Sequence, residues 1–211
     1  MSAGTSPLLN SFHYDDLGSF YQNVEANLSA MKEEGVQYSI AYMHWGEEYH
    51  TTESEVQREM AQKLCDLGVD VLIGSHPHVI QPVEVFKSSD NTHTMPCAFA
   101  IGNLLSNQRR DYIDQMPTGE TEDGLFVTLS LTSGKDGKIT LTDMEFTPTW
   151  VYYSEDPSPE YYILPLDKTS LQKSSAKLGD IDSEVQESIS RTEKIIGPGV
   201  EKVKQALPIS Q

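Results

Sequence analysis

The chain has 211 residues, a length that suits one α/β domain or one domain with an appendage. Hydrophobic residues make up 37% of it, which is typical of a folded globular protein and excludes a fully disordered chain. With 32 acidic and 15 basic side chains the net charge is −17, which argues against nucleic acid or an anionic membrane as a partner. No apolar run approaches about 18 residues, so the sequence predicts no membrane-spanning helix.

Alternating helices and strands are predicted for the first half of the chain. Residues 16–34 carry apolar side chains at three- and four-residue spacing, with Asp16 as the expected N-cap and Gly35 as the end of the helix. Residues 36–43 follow as a predicted strand. The run 69–74 is short and apolar, which favours a strand covered on both faces.

A second helix is predicted between these two strands. Thr52 or Ser54 begins it with a capping-box pattern, and Gly68 supplies a left-handed end. Its buried stripe is expected to consist of Val56, Met60, Leu64 and Leu67. The order helix, strand, helix, strand predicts parallel strands joined by a crossover, and in such sheets ligands gather at the carboxyl ends of the strands.

The second half of the chain predicts antiparallel structure and then a helical tail. Two hairpins are expected, one pairing 83–86 with 96–101 and the other pairing 124–132 with 138–146. From residue 169 onward the pattern is polar and helical, with a break at 197–199, where the sequence reads Gly-Pro-Gly. We therefore divide the chain into a main unit, 1–168, and a helical tail, 169–211, that packs on the main unit or on a partner.

Half of the six histidines lie in two short motifs, each placed where a predicted strand ends. His44 follows the first strand, and His76 and His78 follow the second, 32 residues further along the chain. Neutral imidazole is a ligand for several transition metals, and a loop containing Pro77 could turn both later histidines toward one centre. Each motif alone is more typical of structural histidines; their shared position at the sheet edge favours metal ligation. Glu47 and Glu48 could add a carboxylate ligand or a general base.

A polar segment that follows the strand at 96–101 is a second candidate for the site. It contains Asn103 and, further on, Arg109, whose planar guanidinium suits carboxylate or phosphate groups. The alternative is an ordinary polar loop with surface arginines. We predict that Asn103 and Arg109 face the substrate. No Gly-x-Ser-x-Gly elbow and no glycine-rich phosphate loop occur in the sequence, which argues against a serine hydrolase and a nucleotide-binding site.

Five motifs in a fixed order resemble one known family. They are His44-Trp45-Gly46-Glu47-Glu48-Tyr49 with Gln57-Arg58-Glu59-Met60-Ala61, Gly68 to Glu84 around Gly74-Ser75-His76-Pro77-His78, Ile101 to Arg109, Glu122-Asp123-Gly124, and Pro148-Thr149-Trp150-Val151. Over roughly Asp16 to Leu166, the chain resembles CapA-type capsule (poly-γ-glutamate) synthesis proteins, which are similar to calcineurin-like metallophosphoesterases. The resemblance implies a layered α/β sandwich in which parallel βα units are followed by antiparallel hairpins.

The resemblance also implies site residues. In the metallophosphoesterase pattern, a strand-end histidine and a Gly-His-x-His motif hold metal ions, and the matching residues here are His44, His76 and His78, with Ser75 in place of the glycine. His44, Glu48 and His76 would be catalytic, and Glu48 rather than Glu47 would face inward. The implied cofactors are divalent manganese, iron or zinc, with two ions in the full-length protein.

The motifs that open the family pattern, including the aspartates that bridge two metals, have no counterpart before Asp16. The chain is therefore expected to correspond to the C-terminal half of such a protein and to be inactive, or nearly so, alone. The full-length protein would be a hydrolase or transferase acting on an anionic polymer or phosphoester, at the outer face of the cytoplasmic membrane beside other capsule-synthesis membrane proteins. The alternatives are a non-catalytic scaffold of capsule assembly or export, and a piece that self-associates through the missing half.

Overall fold

The computed structural model describes residues 10–155, 157–178 and 181–207, with the backbone alone for 173–177. Four helices, seven strands and a short 3₁₀ helix lie within these ranges. In chain order they are α1 Leu17–Glu33, β1 Ile40–His44, α2 Glu55–Leu67, β2 Val71–Ser75, β3 Val83–Lys87, β4 Thr94–Ala98, the 3₁₀ helix Glu120–Glu122, β5 Asp123–Ser133, β6 Ile139–Ser154, β7 Glu160–Pro165, α3 Lys168–Leu178 and α4 Asp182–Ala206. None of these helices is both long and apolar enough to cross a membrane.

The strands form two sheets, and the predicted α/β class is confirmed. The first sheet has the order β1-β2-β4-β3, in which β1, β2 and β4 are parallel and β3 pairs antiparallel with β4. The second is an antiparallel sheet of β5, β6 and β7. Both predicted hairpins are present. The second is longer than expected and gains β7, a strand that the sequence pattern did not predict.

Three apolar clusters hold the layers together. The first lies between helices α1 and α2 and one face of the four-stranded sheet, with Met60, Leu64 and Leu72 at its centre. The second fills the opposite face, where the sheet packs against the three-stranded sheet and α4. The third joins Trp150 to the beginning of α4. The helices and the second sheet therefore cover both faces of the four-stranded sheet.

The caps of helices α1 and α2 follow the sequence prediction closely. Asp16 accepts a hydrogen bond from the Ser19 amide at 3.2 Å, and Ser54 forms a reciprocal capping box with Gln57. The predicted stripe on α2 is wrong at Val56, which is exposed. The fully buried face instead includes Gln57, because this side chain completes the capping box and also donates to Gln81 at 2.9 Å.

The predicted break at 197–199 is also wrong, because α4 continues through Pro198. Gly199 explains this result: a Cβ there would lie 1.6 Å from the carbonyl oxygen of Val83, so only glycine lets the helix rest directly on β3. The sequence Gly-Pro-Gly therefore marks a close helix-to-strand contact rather than the end of a helix. The helical tail contacts both sheets through α4.

Candidate functional site at the carboxyl edge of the parallel strands

All three parallel strands end at the same edge of the four-stranded sheet, and each leads into a polar residue of interest. β1 ends at His44, whose register partner on β2 is Ser75. β2 continues into His76, Pro77 and His78, and β4 leads through residues 99–102 to Asn103. This is the edge at which ligands gather in open α/β sheets.

The strand ends are drawn together by a tight contact around Gly74. The indole nitrogen of Trp45 donates to the carbonyl oxygen of Phe99 at 2.9 Å across the backbone of Gly74. A Cβ on Gly74 would lie 1.9 Å from that carbonyl oxygen and 2.5 Å from the indole nitrogen. Glycine at this position therefore allows the residues after β1, β2 and β4 to approach closely, as is needed if their side chains are to act together.

The three histidines lie side by side, and we call them, with Glu48, the histidine cluster. The ring centroids of His44 and His76 are 4.5 Å apart, and those of His76 and His78 are 6.2 Å apart. Glu48 places a carboxylate oxygen 3.8 Å from Nε2 of His78. Glu47 lies instead 3.7 Å from the ring of His50, on the exposed surface. Of the two glutamates, Glu48 is thus the one beside the cluster.

The backbone of the histidine loop is in an unusual conformation. His76 has a φ of 107° and His78 a φ of 60°. Both angles are positive, and residues other than glycine and asparagine rarely adopt a positive φ. These angles account for how two histidines separated by one residue reach the same side of the loop. Such angles cost of order 1–3 kcal/mol each and are concentrated at functional sites.

The pKa of His76 favours a neutral imidazole at the centre of the histidine cluster. Burial of His76, together with the neighbouring ring of His44, lowers the pKa of His76 below its ordinary value, against the opposing effect of Glu48. A neutral ring keeps one nitrogen lone pair free for a proton or a metal ion.

The structure tests in part whether this cluster fits a metal ion. Among the residues that the structure describes, no three histidine, cysteine, aspartate or glutamate side chains are arranged so as to hold one. His44 and His76 are close enough to share a ligand, whereas His78 lies further off beside Glu48. The described residues thus bring the predicted side chains together without forming a complete metal site.

Asn103 and Arg109 lie in different surroundings. The Asn103 amide is buried and bonded to His78, Gln108 and Thr121. Arg109 lies against the second sheet: its guanidinium is 3.6 Å from Glu122, donates to the Val151 carbonyl at 3.4 Å and lies over the Tyr153 ring. Asn103 therefore lies beside the histidine cluster and bonds directly to His78. Arg109 instead contacts a second group of charged residues that includes Glu122.

The sequence analysis did not predict that this second group of charged side chains would lie together. Three of the chain's four arginines converge on two adjacent buried carboxylates, and we call this group the arginine junction; its members are Arg109, Arg110, Arg191, Glu122 and Asp123. Hydrogen bonds from Arg110 and Trp150 hold the pKa of Glu122 below its ordinary value, although burial acts to raise it. The signal in the sequence was the pair Glu122-Asp123 directly before a strand, since charged residues at such a position are rarely buried unless paired.

Comparisons with known proteins agree with the resemblance. Residues 5–108 match the family described as bacterial capsule synthesis protein PGA_cap. The PGA biosynthesis protein CapA of Bacillus subtilis (strain 168) is 32% identical over 69 residues, which is 33% of this chain and 17% of that protein. The capsule biosynthesis protein CapA of Bacillus anthracis is 38% identical over 69 residues, 33% of this chain and 15% of that protein.

These matched segments span less than a fifth of the length of the two relatives. Within this chain, the match to the family ends at residue 108 and contains both histidine motifs and Asn103. Over residues 5–108, just under half of its length, the chain is similar to the CapA-type capsule synthesis proteins.

Proposed function

We propose that this chain takes part in the synthesis of a bacterial capsule polymer, and that the histidine cluster is part of a divalent-metal centre that processes a phosphoester or related bond. The names of the relatives support the first part of the proposal. The second part depends on one observation: the rings of His44 and His76 meet at 4.5 Å at the carboxyl ends of adjacent parallel strands.

The residues of the chain have distinct roles in this proposal. His44, His76 and His78 supply neutral imidazole nitrogens, and Glu48 is a supporting carboxylate or general base beside His78. A bound manganese, iron or zinc ion would polarise the reacting bond and add positive charge. Arg109 is a candidate contact for an anionic polymer, since its two polar contacts in the structure are long, at 3.4 and 3.6 Å. A chain with a net charge of −17 needs local positive charge to attract such a polymer.

A scaffold is the second candidate function, and one observation favours it. No three potential ligand side chains within the described residues are arranged to hold an ion. In that case the same edge of the sheet would bind a capsule polymer, or a membrane protein of the capsule assembly, without catalysing a reaction. For either function we propose a location at the outer face of the cytoplasmic membrane; self-association remains a third proposal.

Metal uptake distinguishes these functions. The purified chain is titrated with Mn²⁺, Fe²⁺ or Zn²⁺ by calorimetry, and bound metal is counted by elemental analysis. We expect His44→Ala and His76→Ala to lose binding at least tenfold. His93→Gln is the matched control, because the ring of His93 bonds the carbonyl of Val69 at the opposite end of the strands. Equal binding by all variants would overturn the metal proposal.

A second measurement addresses the scaffold. Poly-γ-glutamate of defined length is titrated against the same proteins, with and without metal. Polymer binding that needs neither metal nor the histidines supports the scaffold, whereas binding that appears only with metal supports the metal centre. Arg109→Ala is expected to weaken polymer binding in either case, since it removes positive charge from an acidic chain.

A further inference from the structure

Asn103 has a side chain whose amide is bonded within the protein. Its side chain is buried, and both ends of its amide have partners within the protein. The amide nitrogen lies 2.9 Å from the carbonyl oxygen of Thr121, 3.1 Å from that of His78 and 3.2 Å from the side-chain oxygen of Gln108. The amide oxygen lies 3.0 Å from Nδ1 of His78.

These partners determine which way the amide points. Backbone carbonyl oxygens can only accept hydrogen bonds, so the atom facing Thr121 and His78 must be the NH₂ group. The oxygen of Asn103 therefore faces the imidazole of His78. Because this oxygen can only accept, Nδ1 of His78 must carry the proton when the ring is neutral.

The other nitrogen of His78 is then left with a free lone pair. Nε2 lies 3.8 Å from the carboxylate of Glu48. Tyr49 stacks on the ring face at a centroid distance of 6.1 Å, and its amide donates to the carbonyl of Pro77 at 2.8 Å. The ring is thus restrained at one edge and one face, while no hydrogen bond to Nε2 occurs among the residues that the structure describes.

We propose that Asn103 is a positioning residue that selects the Nδ1-protonated tautomer of His78 and thereby presents the lone pair of Nε2 to the site. The role of that lone pair, as a ligand or proton acceptor, rests on the proposed function; the tautomer does not. A purely structural role, in which Asn103 only joins the loop after β2 to the 3₁₀ helix, would require no particular tautomer.

The test is the tautomer of His78, read from two-bond ¹H–¹⁵N correlations at a pH where the ring is neutral. In the unaltered chain we expect Nδ1 to have the signature of a protonated nitrogen and Nε2 that of an unprotonated one. Asn103→Ala should shift the ring toward the Nε2-protonated form, which predominates in free, neutral histidine. Gln108→Ala is the matched control, because it removes a partner of the same amide nitrogen without contacting His78.

Asn103→Asp keeps the test decisive if Asn103→Ala does not fold. A carboxylate still accepts from Nδ1, so this variant should retain the tautomer. An Nε2-protonated His78 in the unaltered chain, or an unchanged tautomer in Asn103→Ala, would overturn the proposal. Metal affinity is measured in parallel, and we expect a loss of about 10–100-fold in Asn103→Ala. If no variant binds metal but the tautomers follow the expectation, the proposed function fails and the role of Asn103 stands.

Discussion

The histidine cluster and the arginine junction both concentrate polar side chains, but they differ in how those side chains are satisfied. In the arginine junction, Glu122 is 1% exposed and accepts hydrogen bonds from the backbone and side chain of Arg110 and from Trp150. Asp123 is paired just as fully, with Arg191 and Ser188. The histidine cluster is more exposed, has two residues with positive φ, and leaves Nε2 of His78 free of any hydrogen bond that the structure describes.

This contrast teaches that charge density alone does not mark a functional site. The arginine junction contains more formal charge, yet its two carboxylates are satisfied by Arg110, Arg191, Ser188 and Trp150, as expected of a structural network. The histidine cluster contains less charge and more unused bonding capacity, held in a conformation that costs free energy. Three substitutions test the comparison.

The largest effect is expected at Glu122, since its loss leaves buried positive charge without a full partner. Glu122→Gln should lower the free energy of unfolding by about 3–5 kcal/mol at neutral pH, as measured by urea denaturation. Because the folded-state pKa of Glu122 lies below its ordinary value of 4.5, its contribution is present above about pH 4.5 and is lost as the pH falls through the folded-state pKa.

The difference in the free energy of unfolding between Glu122→Gln and the unaltered chain should therefore become smaller as the pH is lowered. A destabilisation below about 1 kcal/mol, or one independent of pH, would contradict the contribution that we assign to the buried carboxylate of Glu122.

At the histidine cluster we expect a substitution to leave the free energy of unfolding unchanged or to raise it. His76→Gly should keep the stability unchanged or raise it by up to about 1 kcal/mol, because relief of the strained φ of 107° outweighs the backbone entropy of glycine. The same variant should lose metal uptake in calorimetric titration. A loss of more than about 1 kcal/mol would show that the ring of His76 serves chiefly to stabilise the fold. His93→Gly, at a position with ordinary backbone angles, should be destabilised.

The smallest effect is expected at Glu187, an exposed partner of Arg110 at 3.3 Å. Glu187→Gln should change the free energy of unfolding by less than about 1 kcal/mol, and by less still at high salt, because exposed ion pairs are weak and screened. Glu187 and Glu122 bind the same guanidinium, so the pair of variants isolates the effect of burial. Equal losses in both would contradict that explanation.

Local signals predicted the first half of the fold well. The Asp16 cap, the capping box of Ser54 and the left-handed Gly68 depend on neighbouring residues, and the structure contains all three. The prediction for α4 failed because Gly199 is explained only by its contact with Val83, more than 100 residues away in the sequence. β7 was missed for a related reason: its aromatic contact, Tyr161 against Tyr153 at 4.7 Å, exists only once β6 is in place.

In the candidate site, too, the sequence predicted what depends on local signals but not what depends on distant contacts. Strand-end position predicted that His44, His76 and His78 would be neighbours, because parallel strands deliver their carboxyl ends to one edge. Nothing local distinguishes Asn103 from Arg109, which lie six residues apart on one polar segment. Their directions are set by distant partners, Thr121 for one and Val151 for the other.

Helix α4 has a mechanical consequence for the edge where the histidines lie. Gly199 lets it contact β3 directly, and Arg191 bonds Asp123 at the beginning of β5. Val185 belongs to the same apolar cluster as Trp150 of the second sheet. One helix thus packs against both sheets and restricts their movement relative to each other. If the proposed function holds, we therefore expect access for a polymer to depend on the segment 104–119, in which Leu104, Leu105 and Tyr112 are exposed.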